Sequence, residues 1–430
     1  MAAKRAADPA RAARAKKAAQ SLFRGRAFCV LPWTHLHVRV NGDAQPCCAW
    51  AGRPTGSLRS APIQSLWNSR GMKRLRKNML AGRPSAGCRA CYELEGSKFK
   101  SMRLERNETL ARHRARAALT APDGSLPLLP FPFVDIRFSN LCNLRCRTCS
   151  AEQSSAWARE AKKLGWLAEG AEPLNRAYGD WDDLWRQLEP LLEKGLEEIV
   201  FAGGEPLLSR EHYRILDFLL KKGLTRVYLR YVTNFSSLRF EGQDVLGLWS
   251  RFERVRVAAS LDGSGRRGEY LRAGLDWGAA VKNREEMLRR CPQTEFNVSA
   301  TLSLFNALHL PDFHRDWVEK GYIGRDDFFV NPLLSPPWYS AQVLPEDFKR
   351  RVQESYRRHR LEFLAETRRA AAEFEAAERF LAARDASRLL PDWAKVTRRL
   401  DALRGENCRE AFPELSPLLE PAPCGRGSRA

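Results

Sequence analysis

Seven of the eleven cysteines in this 430-residue chain fall into three groups: Cys29 with Cys47, Cys88 with Cys91, and Cys142 with Cys146 and Cys149. Cys48 directly follows Cys47, while Cys291, Cys408 and Cys424 stand singly. This grouping constrains the fold more than any other feature, because cysteines that share a metal must be carried to one point. The N-terminus, MAAKRAADPARAARAKKAAQ, has no apolar core of the kind a secretory signal needs. No uncharged apolar stretch reaches the ~18 residues that span a membrane. A cytoplasmic protein without a membrane partner is therefore expected, its thiols serving metals or catalysis rather than disulfides.

Composition shifts divide the chain into five segments. Residues 1–26 read as a basic disordered arm and 27–100 as a compact cysteine-bearing unit with a turn at Asn41–Gly42. Within that unit, residues 63–80 have apolar spacing near that of a helix, with Gly71 as its weak point. Residues 101–131 read as a charged helical stretch leading into the proline-rich linker APDGSLPLLPFP. Over 132–335, β-rich runs at 133–138, 198–202, 226–233, 254–260, 295–303 and 327–332 alternate with amphipathic helices. Six such units predict an α/β fold, a partial (β/α)6 TIM-like barrel whose chemistry sits at the C-terminal strand ends. Residues 336–430 form a helical C-terminal extension, in which Phe348, Val352 and Tyr356 recur every fourth position. It shows no chemistry of its own and is expected to pack on the barrel or cap it.

The net charge of +21 invites a nucleic-acid reading. Arginine and lysine are spread along the whole chain, often beside glutamate as in RRAAAEFEAAER, without helix-turn-helix or zinc-finger spacing. An arginine-rich solvated surface or an acidic substrate accounts for the charge better than nucleic acid does.

The segment DIRFSNLCNLRCRTCS follows the first expected barrel strand, and its Cys142, Cys146 and Cys149 are spaced C-x3-C-x2-C. Three thiolates on one loop hold three irons of a [4Fe–4S] cluster and leave the fourth iron to a non-protein ligand. A structural zinc site would ordinarily take four protein ligands, and no fourth cysteine or histidine follows nearby. After the second strand comes Gly203-Gly204-Glu205-Pro206. The glycines permit close backbone approach to a ligand, and Glu205 is suited to an ammonium group. Asn234 and Ser260 stand at the ends of the third and fourth strands.

C-x3-C-x2-C after one strand, then GGEP after the next, closely resembles the radical S-adenosylmethionine (SAM) superfamily over roughly residues 133–335. The resemblance implies that Cys142, Cys146 and Cys149 ligate a [4Fe–4S] cluster whose open iron is chelated by SAM. It also implies that Gly203, Gly204, Glu205 and Pro206 contact SAM, with Asn234 and Ser260 added on strand-end position. The residue before the third cysteine is usually aromatic in the family; Thr148 stands there in this chain, which leaves the local adenine contact unassigned.

Cys29, Cys47, Cys88 and Cys91 saturate either a cubane cluster or a zinc ion. Their C-x12-G-x4-C opening resembles the SPASM and twitch domains of radical SAM enzymes, which carry auxiliary [4Fe–4S] clusters. There the domain generally follows the barrel, whereas here it precedes it, an order that resembles twitch-domain radical SAM proteins. The resemblance implies one auxiliary cluster. Cys47 fits the Gly-x4-Cys spacing better than Cys48. His35 and His37, which alternate on an expected strand, read as packing or surface residues. Cys291 reads as inert, and Cys408 and Cys424 are too far apart to imply a site.

By the same resemblance, reductive cleavage of SAM gives a 5′-deoxyadenosyl radical that takes hydrogen from the substrate, with an electron donor such as flavodoxin or ferredoxin. A fully ligated auxiliary cluster has no iron free for substrate, so net oxidation or cross-linking of a ribosomally made peptide is the expected outcome. Alternatives are a radical SAM dehydrogenase of a small-molecule alcohol or sugar, and a non-catalytic iron–sulfur protein. The short arm at 1–26 offers little room for a folded leader-peptide-binding module, which favours the small molecule; the basic surface favours an acidic peptide.

Overall fold

A computed structural model describes residues 25–96 and 100–419. The basic arm expected over 1–26 thus lies almost wholly outside the described residues, as does Cys424. In chain order the strands are β1 (His35–Val38), β2 (Asp43–Gln45), β3 (Gly56–Ser57), β4 (Phe133–Ile136), β5 (Arg145–Cys146), β6 (Glu198–Phe201), β7 (Tyr228–Thr233), β8 (Arg239–Phe240), β9 (Gln243–Asp244), β10 (Val255–Ala259), β11 (Arg272–Ala273), β12 (Glu295–Leu302) and β13 (Phe328–Pro332). The six runs expected for the barrel correspond to β4, β6, β7, β10, β12 and β13, with ends moved by two residues at most.

The chain divides into two compact units. The first takes residues up to Ser139 with Arg176–Gly203 and Lys221–Val227. In it β1 runs parallel to β4, with His35 opposite Phe133 and His37 opposite Asp135, and β4 runs parallel to β6. The β1–β2 hairpin turns at Asn41–Gly42, where Gly42 has φ 91° and a Cβ would stand 2.6 Å from Arg59 Cγ. Only glycine suits such a position. The helical stretch expected over residues 63–80 is two helices, Ile63–Trp67 and Arg70–Leu80. The break falls before Gly71, because Ser69 caps the second helix by accepting from Met72 N at 3.4 Å. At the same corner Asn68 accepts from Leu126 N and donates to Leu126 O, both at 2.9 Å.

Residues 101–131 are more than a connector. The helix Met102–Thr109 is pinned into this unit by Asn107, whose side chain accepts from Val30 N at 2.8 Å and donates to Phe28 O at 3.0 Å. On the same helix, buried Arg106 makes two bonds to Glu198, at 2.8 and 3.0 Å, and lies over the Phe133 ring.

The second unit takes Asn140–Asn175, Gly204–Leu220 and the chain from Tyr228 onward. Here β7, β10, β12 and β13 are successive parallel neighbours. Alternate residues of β10 (Val255, Val257 and Ala259) are buried, as the two-residue period of a strand requires. The short ladder of β11 with β5 sets Arg272 opposite Cys146. In the C-terminal region, Phe348, Val352 and Tyr356 are buried on the helix Glu346–Glu362, with Tyr356 edge-on to Phe374 of the helix Arg369–Ala382. The helix Leu390–Arg404 buries Leu400 against Trp157, Ala161 and Leu164. The fold is α/β, of partial-barrel type, with a helical C-terminal region. Among the described residues no helix is long and apolar enough to cross a membrane.

Removing one partner of a buried ion pair costs about 3–5 kcal/mol, because the other charge is stranded. Arg106→Met should therefore lower the thermal unfolding midpoint by several degrees. The double change Arg106→Met with Glu198→Gln should recover part of the loss, as circular dichroism on the two variants would show.

Candidate metal centres and cofactor site

The central cysteines lie on a loop held at many points. Ser154 donates to Leu144 O at 2.6 Å, Trp157 Nε1 to Cys146 O at 2.9 Å, and Cys149 N to Cys146 O at 3.0 Å. Asn140 spans the loop base, donating to Ala151 O and Pro173 O, each at 3.0 Å. Burial pushes the Cys146 thiol up to about 12 and the Cys149 thiol up to about 11, and raises Cys142 as well. Charge on Cys142 or Cys149 raises Cys146, and charge on Cys142 raises Cys149, so the three sulfurs face a common space. Against this, Arg272 Nη1 lies 3.7 Å from Cys146 Sγ, and Asn234 Nδ2 lies 3.8 Å from Cys142 Sγ. Arg272 is itself buried and paired with buried Asp262 at 2.9 Å. Three thiols facing one space beside a fixed guanidinium have the chemistry that a thiolate-ligated cluster with one open iron requires.

Gly203 and Gly204 follow β6. A Cβ on Gly204 would stand 2.2 Å from Leu141 O and 2.5 Å from the Asn140 carbonyl carbon, so the close approach this glycine serves is to the cysteine loop itself. Glu205 is buried, and its carboxylate accepts from Leu207 N at 3.1 Å, Thr233 Oγ1 at 2.6 Å and Asn234 N at 2.7 Å. Burial pushes its carboxyl up to about 7, outweighing those bonds. Glu205 thus ties its loop to the end of β7, a role the sequence reading, which reserved it for an ammonium group, did not anticipate. Pro206 is buried at the start of the turn Pro206–Leu208. Asn234 also donates to Asn143 Oδ1 at 2.9 Å, and half-buried Ser260 donates its backbone N–H to Thr233 O at 2.7 Å.

The C-terminal region holds this loop from behind. Arg147, between the second and third cysteines, donates to Tyr270 O at 3.1 Å and to Asp401 and Glu406, both at 2.5 Å, with its guanidinium over the Tyr270 ring. Arg404 donates to Arg145 O at 2.8 Å and Glu160 at 2.7 Å, and stacks on Trp157. Sequence reading singled out none of these residues. The one available signal was an arginine, Arg147, set between two of the three grouped cysteines and in need of an acidic partner.

Cys29, Cys47, Cys88 and Cys91 line one apolar cavity with Leu31, Leu75, Met79, Trp50 and Met102. The Leu31–Trp33 turn follows Cys29, while Cys88 ends a short turn and Cys91 lies in the first turn of the helix Arg89–Gly96. Burial pushes Cys29 up to about 12 and Cys88 up to about 11. Arg103, which donates to Phe28 O at 2.8 Å, partly offsets both rises. Cys47 interacts with Cys29 and Cys91, whereas Cys48 senses Asp135, Arg137 and Arg106. The cavity thus belongs to Cys47. A tetrahedral zinc with Zn–S bonds of about 2.3 Å holds its sulfurs about 3.8 Å apart. Among the described residues no three cysteine sulfurs lie within 4.8 Å of one another.

Cys291 is buried and donates to Leu246 O at 3.2 Å. Cys408 is buried where its N–H meets Asp401 at 2.8 Å. His35 and His37 are both buried, so neither is a surface residue.

Residues 29–92 match the family model of the SPASM iron–sulfur cluster-binding domain, and residues 136–319 match that of the radical SAM superfamily. Such domains carry an auxiliary iron–sulfur cluster and a [4Fe–4S] cluster with SAM, respectively. Among solved structures, native anSMEcpe with bound AdoMet is similar at TM-score 0.39 and 18% identity, over 58% of this chain and 66% of that one. The same protein with bound AdoMet and Cp18Cys peptide gives 0.38 and 19%, over 58% and 65%. TYW1 with a lysine-pyruvate adduct bound gives 0.27 and 12%, over 54% and 72%. This chain therefore spans just under two thirds of the anSMEcpe chain. No curated protein matches it.

Two cubanes amount to about eight irons per chain after anaerobic reconstitution. Changing Cys142, Cys146 and Cys149 together to Ala should remove half. Stoichiometric zinc with about four irons would identify the N-terminal site as a zinc ribbon.

Proposed function

We propose that this protein, which belongs to the radical SAM superfamily through residues 136–319 and carries an N-terminal SPASM domain in residues 29–92, oxidises or cross-links a peptide after hydrogen abstraction. The observation that carries the reading is the convergence of Cys142, Cys146 and Cys149 beside Arg272 and Asn234. These cysteines would hold the catalytic cluster, and Gly203, Gly204, Glu205, Pro206, Asn234 and Ser260 would lie against SAM. Cys29, Cys47, Cys88 and Cys91 would hold the auxiliary cluster. When bound, the reduced cluster and SAM supply a 5′-deoxyadenosyl radical able to take hydrogen from an unactivated C–H bond.

The chain's own residues do the rest. Arg272, locked by Asp262, offsets thiolate charge where water is excluded, and the amide of Asn234 steadies Cys142. Glu205, whose carboxyl burial pushes up to about 7, keeps its loop joined to the end of β7. Four protein thiolates at the N-terminal site leave no iron for substrate, which suits that site to collecting an electron. The net charge of +21 favours an acidic peptide as substrate and a small acidic carrier, such as flavodoxin or ferredoxin, as the donor that would reduce the cluster.

With dithionite and SAM the protein should release 5′-deoxyadenosine even without substrate, and Cys146→Ala should abolish this. S-adenosylhomocysteine as the main product would contradict the assignment. The double change of Cys88 and Cys91 to Ala, once its circular dichroism and SAM binding match the parent, should still make 5′-deoxyadenosine but release no oxidised product. Turnover at the parent rate would make the N-terminal site structural. Mass spectrometry of acidic peptides should show loss of two hydrogens; oxidation of an alcohol or sugar instead would favour the small-molecule dehydrogenase.

A further inference from the structure

We propose that His35, His37 and Asp135 form a third metal site, one for a divalent transition-metal cation, separate from both cysteine groups. His35 and His37 are two residues apart on β1 and so project from the same face, and the parallel register sets His37 opposite Asp135 on β4. One ligand atom from each lies within 4.8 Å of the other two. All three side chains are removed from water, His35 being 0% exposed, His37 2% and Asp135 3%.

The hydrogen bonding of His35 is that of a metal ligand. Its Nδ1 faces Phe133 O at 3.2 Å, so the proton belongs on Nδ1 and the lone pair on Nε2. Nε2 is buried and has no hydrogen-bond partner. A ligating histidine ordinarily has its imidazole anchored through one nitrogen to a backbone carbonyl, which fixes the ring and frees the other nitrogen for the ion. Asp135 Oδ2 lies 2.9 Å from His37 Nδ1, while its other oxygen faces Arg137 at 3.5 Å. Burial pushes His35 down to about 3, keeping it neutral, and the ring of His37 with Arg137 holds Asp135 ionised despite its burial. Neutral imidazole and ionised carboxylate are the forms a cation requires. Of the nearby positive groups, Arg106 is already matched by Glu198. Cys48 is electrostatically coupled to Asp135 but is not among the three.

Two imidazoles and one carboxylate suit zinc or ferrous iron rather than magnesium or calcium, and leave one position open to water or a ligand oxygen.

Zn2+ is the probe. Full-length protein with both iron–sulfur sites reconstituted, equilibrated with Zn2+ and gel-filtered, should retain one zinc per chain beyond its cluster iron. Absorption at the zinc edge should show only nitrogen and oxygen neighbours, at about 2.0–2.1 Å. His35→Gln and Asp135→Asn should each weaken retention at least tenfold, with iron content and circular dichroism unchanged. The proposal is overturned if the parent retains no zinc, if sulfur appears at about 2.3 Å, or if both folded variants retain zinc as the parent does. Should a variant misfold, the parent's zinc content and neighbour shell still decide the matter.

Discussion

A thiolate buried in apolar surroundings is tolerable only beside compensating positive charge, and each cysteine group of this chain has buried members, Cys29 and Cys91 in one and Cys146 in the other. Cys29 and Cys146 are each pushed up to about 12, so without a metal they would stay protonated at neutral pH. Much of the surrounding architecture answers that constraint. Each group has a buried arginine beside its sulfurs, Arg272 for the central loop and Arg103 for the N-terminal cavity. Each arginine is fixed by a carboxylate, Asp262 and Glu95 respectively, and so supplies charge without being free to move away.

A second layer of arginines keeps the cysteine loop in shape. Arg147 and Arg404 join it to Asp401, Glu406 and Glu160, and the packing of Leu400 on Trp157 closes the arrangement. The last helices of the chain thus form part of the support for a loop that lies some 250 residues earlier. Buried ion pairs of this kind add little net stability over apolar packing, but losing one partner is costly. They therefore hold one loop geometry in preference to others.

The strands were legible in the sequence because their period-two apolar runs are bounded by turn residues, and β10 shows that alternation in its burial. The cysteine loops were legible because ligand spacing is local. What escaped notice depends on partners distant in sequence. Arg147 with Asp401, and Arg272 with Cys146, are joined only by the fold. His35 and His37 read as packing residues because their partner, Asp135, enters through a parallel pairing of β1 with β4 that no local pattern announces. The break at Ser69 was misplaced to Gly71 because helix propensity was weighed and capping was not.

The account stands on there being two iron–sulfur sites, of which only the one at Cys142, Cys146 and Cys149 is open to SAM. Electron paramagnetic resonance of the reduced, reconstituted protein tests this directly. Two cluster signals should be present, and SAM should shift one of them and leave the other unmoved. The shifting signal should be the one missing when Cys142, Cys146 and Cys149 are changed to Ala. A SAM-induced shift that persists in that variant, or no shift in the parent, would contradict the account.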